Sequence, residues 1–290
     1  MSALPAPLSI FPREKLLQVA RALPADLQVL SSLGELLQNP NSDLDQVADL
    51  LRRDVAMAAR IVRISNSPLF GGSGGIASVE EAVNRVGFGE ILKLVGTATA
   101  ARFTESALDH YGIGAHRLRA NMLYGALAAE ALARQAGKDP RIAYTAGLLR
   151  PLGIMVLDRA SRGHTAPGDA YAAATWPSYS AWEGQMFGVD NCEVAALILG
   201  EWRFPAELTE GIRAHYLARP ADFEQPLAAL LNLANGLSHR VSRSFAGEAC
   251  WWEITPAKLQ AAGLREEDFG PAVVETERAF AHAIALLGGS

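Results

Sequence analysis

Histidine and cysteine side chains are the groups in this chain that could bind a metal ion or act as a base or nucleophile. Apart from His215, the histidines lie far apart and have no acidic partner at the spacing of a metal-ligand pair: His110, His116, His164, His239 and His282. Cys192 stands near a predicted helix N-terminus, which lowers a thiol pKa. No base lies near it in the sequence, so a small buried residue is the default interpretation.

The segment Gly147–Gly153 (GLLRPLG) puts an arginine and a proline inside an apolar helical stretch, 140–157. Proline lacks an N–H donor and clashes with the preceding turn, so Pro151 should kink or end the helix. Arginine is rarely buried without a partner. Three interpretations of Arg150 stay open: a partly exposed guanidinium on a packed stem, which is favoured, an internal salt bridge, or an anion site.

Helical periodicity runs through the chain, and the alternation typical of strands is nearly absent, so the fold is predicted to be all-α. Capping pairs begin helices at Ser78 with Glu81 and at Asp190 with Glu193. The predicted helices of the C-terminal part are 116–135, 179–187, 191–202, 206–216, 227–243, 256–262 and 271–287. A break at 109–114 (DHYGIG) predicts a subdomain boundary. We expect three parts in all: an N-terminal helical extension, 1–22, and two helical subdomains, 23–108 and 109–290.

Composition narrows the class of protein. Half of the 290 residues are hydrophobic and 20% are charged, which is typical of a soluble globular chain. The net charge of −5 gives no reason to expect nucleic-acid binding. Two cysteines are too few for a disulfide framework, and the N-terminus lacks a secretion signal. No apolar run reaches the roughly 18 residues of a membrane span. We therefore expect a cytoplasmic protein with no membrane contact.

The pair Trp251-Trp252, preceded by Phe245, is the most unusual patch of the C-terminal third. Core packing of the last helices is the favoured interpretation. An exposed pair would instead form a partner surface, because aromatic residues are enriched at the centres of interfaces.

Two long stretches of the sequence follow the order of a known family. The first reads DLQVLSSLGELLQNPNSDLDQVADLLRRDVAMAARIVRISNSPLFGG and continues with SVEEAVNRVGFGEILKLV. The second begins near Leu118 and passes through AYTAGLLRPLGIMVLD, FGVDNCEVAALILGEWRFPAELTEGIRAHY and LAALLNLANGLSH. Together they resemble the HDOD family, a regulatory relative of the HD phosphohydrolases, and Asn66-Ser67 matches its hallmark turn. The resemblance implies a two-part helical HDOD/HD-like architecture.

The same resemblance implies a lost metal centre. In catalytic HD enzymes a His, a His-Asp pair and a later Asp hold a metal ion that activates water. The family's ligand positions, including a further His, fall here on Asn121, Arg150, Pro151, Asn191, His215 and Asn235. Among these, His215 alone keeps a ligand-type side chain. Arginine has no lone pair to donate and proline has no side-chain donor, so the resemblance implies no metal, no cofactor and no catalysis.

We therefore expect a non-catalytic signal-transduction module of the kind that works beside bacterial response regulators, acting through protein or ligand binding. A signalling protein is the expected partner, its identity and the oligomeric state being left open. Two alternatives remain: a metal-dependent phosphohydrolase with an atypical site, and a cyclic-dinucleotide receptor without turnover, in which Arg150 holds phosphates. The groove between the two helical halves is the default place for a ligand.

Overall fold

A computed structural model of the protein describes residues 11–23, 43–53, 55–66, 75–103, 107–163 and 169–288, together with positions 29, 32, 33 and 36. These residues form helices and short 3₁₀ turns and contain no strand, which confirms the all-α prediction. The helices are α1 (Arg13–Arg21), α2 (Leu44–Arg52), α3 (Val55–Ser65), α4 (Val79–Val86), α5 (Phe88–Phe103), α6 (Ala115–Gln135), α7 (Pro140–Leu149), α8 (Leu152–Ser161), α9 (Tyr179–Phe187), α10 (Asn191–Glu201), α11 (Ala206–Ala214), α12 (Pro226–Arg240), α13 (Pro256–Ala262) and α14 (Phe269–Gly288). Within the described ranges, none of them is long and apolar enough to cross a membrane.

The long helix α6 is the centre of the C-terminal part. Nearly all its residues from Leu118 to Ala133 are buried, because helices α5, α7, α12 and α14 pack around it. A helix apolar on all sides is typical of such a central position. The prediction of a helix over 116–135 is confirmed to within one residue.

The Arg150-Pro151 pair divides the predicted apolar stretch into α7 and α8. Helix α7 begins at Pro140 and ends before Arg150. Asp139 caps its N-terminus, because the Asp139 side chain accepts a hydrogen bond from the backbone N–H of Arg141. Pro151 precedes α8 as its N-terminal flanking residue, a position where its missing N–H leaves no intrahelical bond unmade. The sequence therefore places Arg150 at a junction of helices.

The two glycines that flank this junction allow helix backbones to meet. A Cβ on Gly147 would lie 2.8 Å from Cα of Ala126, so α7 contacts the backbone of α6. A Cβ on Gly153 would lie 1.8 Å from the carbonyl oxygen of Asn191, so α8 contacts the start of α10. These contacts hold Arg150 in the middle of the C-terminal helices.

Two predicted helices are shorter than expected, and both differences lie beside the site described below. The helix predicted over 206–216 ends at Ala214, and Leu217 has a left-handed φ of 54°. The helix predicted over 227–243 ends at Arg240, and Ser242 has a left-handed φ of 57°. A left-handed residue ends a helix, and non-glycine residues in that conformation carry no sequence signal as clear as glycine.

Residues 11–21, within the predicted N-terminal extension, pack on the C-terminal helices. Phe11 stacks on Phe187 with ring centroids 5.3 Å apart, and Arg13 lies 3.4 Å from Glu201. Helix α1 also contacts α8 and α10. The proposed division at 22/23 and 108/109 stays a prediction, although a 3₁₀ turn with a left-handed Gly112 occurs where the sequence breaks.

Asn66, of the predicted hallmark turn, hydrogen-bonds to Val62 in the helix that precedes it and to Ile76 further along the chain. Its side-chain NH₂ donates to the carbonyl oxygens of Val62 (3.1 Å) and Ile76 (2.8 Å), and its Oδ1 accepts from the N–H of Ile76 (2.7 Å). Ser67 lies outside the described residues.

The close approach at Gly153 predicts an asymmetry between glycine-to-alanine variants. Gly153→Ala should lower the free energy of unfolding by about 3 kcal/mol or more, because the new methyl group overlaps a backbone oxygen. Gly200→Ala, in an exposed helical position with open space around it, should raise it by about 0.5–1 kcal/mol. Urea unfolding of both variants checks this, and equal effects would contradict the packing of α8 against α10.

Candidate functional site

Arg150 is fully internal. Its side chain and that of Glu248 are 1% and 0% exposed, and Nη1 of the guanidinium lies 2.5 Å from Oε1 of the carboxylate. The favoured interpretation of a partly exposed guanidinium is therefore wrong, and the internal salt bridge is the arrangement present. The reason is positional: at the junction of α7 and α8 the side chain points into packed helices, with no route to water for its head group.

Asn121 and two aromatic rings complete the surroundings of the guanidinium. Nη2 of Arg150 donates to Oδ1 of Asn121 at 2.5 Å, and the guanidinium carbon lies 5.3 Å from the ring centroid of Phe245 and 5.8 Å from that of Trp252. The NH₂ group of Asn121 donates to the carbonyl oxygen of Arg243 at 3.0 Å. Asn121 thus connects Arg150 to the turn that follows α12.

His215 is neutral and faces the guanidinium with its free nitrogen. Nδ1 lies 2.6 Å from the carbonyl oxygen of Ile212, which can only accept, so Nδ1 carries the proton. Nε2 then has its lone pair directed towards Nη1 of Arg150, 3.5 Å away. Burial, with a further contribution from the Arg150 charge, lowers the pKa of His215 to about 3.

A second buried carboxylate extends the network. Oε2 of Glu183 accepts from both the backbone N–H and the side chain of Asn191 at 2.8 Å, and Oε1 accepts from the hydroxyl of Tyr111 at 2.7 Å. Burial raises the pKa of Glu183 to about 8, against the opposing effect of these donors. The carboxylate also lies at the N-terminus of α10, where a negative charge is favoured.

Tyr216 joins the two carboxylates. Its hydroxyl donates to Oε1 of Glu248 at 2.8 Å and lies 3.2 Å from the side-chain nitrogen of Asn191. Burial and the neighbouring Glu248 raise the pKa of Tyr216 well above its ordinary value, so it stays a donor. Hydrogen bonds therefore run without interruption from Tyr111 to Arg150.

The six positions assigned to former metal ligands differ in what they contact. Asn121, Arg150, Asn191 and His215 belong to the network above. Asn235 is buried but donates to Leu231 in its own helix at 2.8 Å, and Pro151 contributes no side-chain polar group. The correspondence of these positions to lost ligands stays a prediction.

Glu183, Tyr216 and Glu248 were not among the predicted site residues. No sequence spacing indicates Glu248, because it lies 98 residues from Arg150 in a 3₁₀ turn, Ala246–Trp251. Tyr216 stands beside His215 in the AHY segment and could have been considered on that ground.

Cys192 and Trp252 are buried, whereas Trp251 is half-buried. Burial raises the pKa of the Cys192 thiol, which outweighs the tendency of a helix N-terminus to lower it. Trp252 is 2% exposed, so its interpretation as a partner surface is wrong, and core packing applies. Half-buried Trp251 stacks on Tyr216 with ring centroids 5.3 Å apart.

The donor set does not fit a divalent cation. Within the ranges that the structure describes, no group of three or more His, Cys, Asp and Glu side chains is arranged to hold a metal ion. At this position a guanidinium supplies positive charge and no lone pair, and it faces the free nitrogen of His215. No step of a metal-dependent reaction can therefore be assigned to these residues.

Comparison with known proteins identifies the family. The HDOD domain matches residues 23–218, which is well over half of the chain. The chain belongs to the HDOD family. An HDOD domain protein of unknown function from Geobacter sulfurreducens has the same fold, with a TM-score of 0.69 and 22% identity over 94% of this chain and 97% of that one.

Two further solved structures share the fold. A protein from Marinobacter aquaeolei, provisionally named for signal transduction, has a TM-score of 0.66 and 24% identity over 92% of this chain and 58% of that one. One from Shewanella amazonensis, provisionally named a phosphohydrolase, has a TM-score of 0.64 and 22% identity over 93% of this chain and 96% of that one.

An uncharacterized protein of Treponema pallidum is 26% identical over 210 residues. The match covers 71% of this chain and spans about 40% of the length of that curated relative.

Removing the cation from the buried pair should be far more damaging than removing it from an exposed one. Arg150→Met leaves the Glu248 carboxylate buried without its partner, and the expected loss is about 3–5 kcal/mol of unfolding free energy. Arg150→Met with Glu248→Gln should recover much of that loss. Urea unfolding measures both.

The control is Arg265→Met, because Arg265 lies at the same 2.5 Å from Glu267 but both side chains are largely exposed. Its expected effect is below about 1 kcal/mol. Equal losses for Arg150→Met and Arg265→Met would show that the internal pair has no special role.

Glu183 gives the folded protein a pH dependence of known sign. A carboxyl pKa of about 8 in the folded state, above the ordinary 4.5, means that the folded state binds more protons between these pH values. Its contribution to stability is thus fully present below pH 4.5 and is lost as the pH rises to 8. The slope is at most about 1.4 kcal/mol per pH unit.

Urea unfolding at several pH values, with Glu183→Gln beside wild type, isolates this group. The wild type should lose stability relative to the variant as the pH rises from 4.5 to 8, and exposed Glu266→Gln should show no such trend. A difference that stays constant with pH would contradict the assignment.

Proposed function

We propose that the protein is a non-catalytic signal-transduction module of the HDOD type that acts by binding a partner protein. The observation that carries the proposal is the internal Arg150–Glu248 pair. Its arginine, together with Pro151, stands at the positions that the family resemblance assigns to the His-Asp metal pair. A fixed positive charge with no lone pair cannot ligate a cation or activate water.

Burial of the network also argues against hydrolysis. Asn121, Arg150, Asn191, His215 and Glu248 are each 0–1% exposed, so a phosphoester has no route to them in this conformation. A general base must reach the water or hydroxyl that it deprotonates. His215 is neutral, but its Nε2 faces Arg150 rather than a space where a substrate could lie.

The contacts of Arg150 favour binding of a partner protein over the alternative of a nucleotide receptor. Its guanidinium already donates to Glu248 and Asn121 and lies against two aromatic rings, so it is not presented to a phosphate. Membership of a family with regulatory members, and a structural relative provisionally named for signal transduction, support the same choice.

Metal content and phosphodiesterase activity test the proposal together. Protein purified without chelator should contain far less than one equivalent of iron, manganese or nickel by mass spectrometry, and should not hydrolyse bis(p-nitrophenyl) phosphate when these metals are added. The physical reason is that His215 alone keeps a ligand-type side chain at the resembling positions.

His215→Gln and His239→Gln form a matched pair, since one histidine is internal and the other is exposed. Neither should change metal content or activity. Stoichiometric metal together with hydrolysis, both lost in His215→Gln and kept in His239→Gln, would overturn the proposal.

A further inference from the structure

A pocket of about 510 Å³ opens between the start of α6, the turn after α12 and helix α14. Its charged lining is entirely cationic or histidine: His116, Arg117, Arg119 and Arg243. Among the described residues no aspartate or glutamate lines it, although acidic residues outnumber basic ones in the chain, 31 to 26. A concave surface of one sign attracts groups of the opposite sign.

The remaining lining residues are Ala120, Ser242, Phe280 and Ile284, and the main apolar surface that they expose is aliphatic. Ile284 is 40% exposed, one of two large hydrophobic residues with such exposure in the described part of the chain. Phe280 is only 9% exposed, because the Arg243 guanidinium lies 4.5 Å over its ring and Tyr124 packs against it. The pocket therefore presents an aliphatic contact and no open aromatic face on which a base could stack.

Hydrogen bonds and an ion pair hold the walls of the pocket in place. Arg117 donates to the carbonyl oxygen of Ser242, and Asn121 donates to that of Arg243 while it also accepts from Arg150. Arg243 is held in addition by Glu277, 3.3 Å from its guanidinium. A pocket that is already ordered loses little conformational entropy when it binds, which favours affinity.

The groove between the two helical halves has a lining of mixed charge, unlike the cationic pocket. It has a volume of about 390 Å³ and is lined by charges of both signs, among them Glu90, Lys93, Glu275 and Arg278. Lys93 and Glu90 already form an ion pair. This groove gives no preference for the charge of a ligand, and Arg150 does not line it.

We propose that the cationic pocket binds an acidic peptide segment of a partner protein, with an aliphatic side chain against Ile284 and carboxylates beside Arg117 and Arg119. The inference deepens the proposed function, since it assigns the chemistry of the partner. The positive charge of the lining and the exposed aliphatic side chain of Ile284 are the observations that support this proposal. The lack of an open aromatic face disfavours a nucleotide, and an inorganic anion would leave the Ile284 side chain unused.

A displayed library of random short peptides, selected on the full chain, tests this occupant. Peptides should be recovered that carry several Asp or Glu residues around Ile, Leu or Val. Recovered peptides, resynthesised with a fluorophore, should bind at least about tenfold more weakly to Arg117→Glu/Arg119→Glu and to Ile284→Asn than to wild type. Their binding should also weaken with salt.

The control Arg53→Glu makes a charge reversal of the same kind on an exposed residue outside the pocket and should change affinity less than about twofold. Circular dichroism confirms that each variant is folded. Recovery of no acidic peptide, or equal losses in the Arg53 variant, would overturn the proposal. Displacement of the peptide by phosphate or cyclic di-GMP would assign the pocket to small anions instead.

These outcomes are separate from those of the metal and activity test. If no acidic peptide binds but the protein is metal-free and inactive, the pocket proposal fails and the proposal of a non-catalytic module stands. If the protein is a metal-dependent hydrolase and still binds acidic peptides in this pocket, the non-catalytic proposal fails and the pocket proposal stands.

Discussion

The buried ion pair of Arg150 and Glu248 is the interaction on which the C-terminal part depends. Removing two charges from water is unfavourable by several kcal/mol for each ion, and the attraction between them offsets this only when the remaining donors and acceptors are also satisfied. Here Asn121 and Tyr216 hydrogen-bond to the pair, and His215 and two aromatic rings lie beside it, while Oε2 of Glu248 has no hydrogen-bond partner among the described residues. The pair therefore fixes the relative positions of α6, the α7–α8 junction, the end of α11 and the turn 246–251.

With the metal-ligand positions lost as proposed, this arrangement would hold the helices together without a metal ion. A metal ion gathers ligands from several helices, and a planar guanidinium with five donors can join the same helices through hydrogen bonds. The Arg150 guanidinium places a positive charge at the centre of these helices, and its side chain is 1% exposed. Through Asn121 the same network reaches the carbonyl oxygen of Arg243, so the internal pair also shapes the cationic pocket on the surface.

Local features of the sequence predicted much of the fold. The apolar periodicity of α6 gave its bounds, and Pro151 gave the division between α7 and α8, because both depend on residues close in the chain. The burial of Arg150 was not predictable in this way, since its partner Glu248 lies 98 residues away in a short 3₁₀ turn. Left-handed Leu217 and Ser242, which end α11 and α12 early, are likewise set by tertiary contacts rather than by residue type.

The most direct measurement of the central claim is a crystal structure of the protein grown with manganese, with anomalous scattering recorded at the manganese edge. We expect the Arg150 guanidinium to lie within hydrogen-bond distance of Glu248 and Asn121, with no anomalous peak near Nε2 of His215. A manganese peak at coordinating distance from that nitrogen, with the guanidinium displaced, would contradict it.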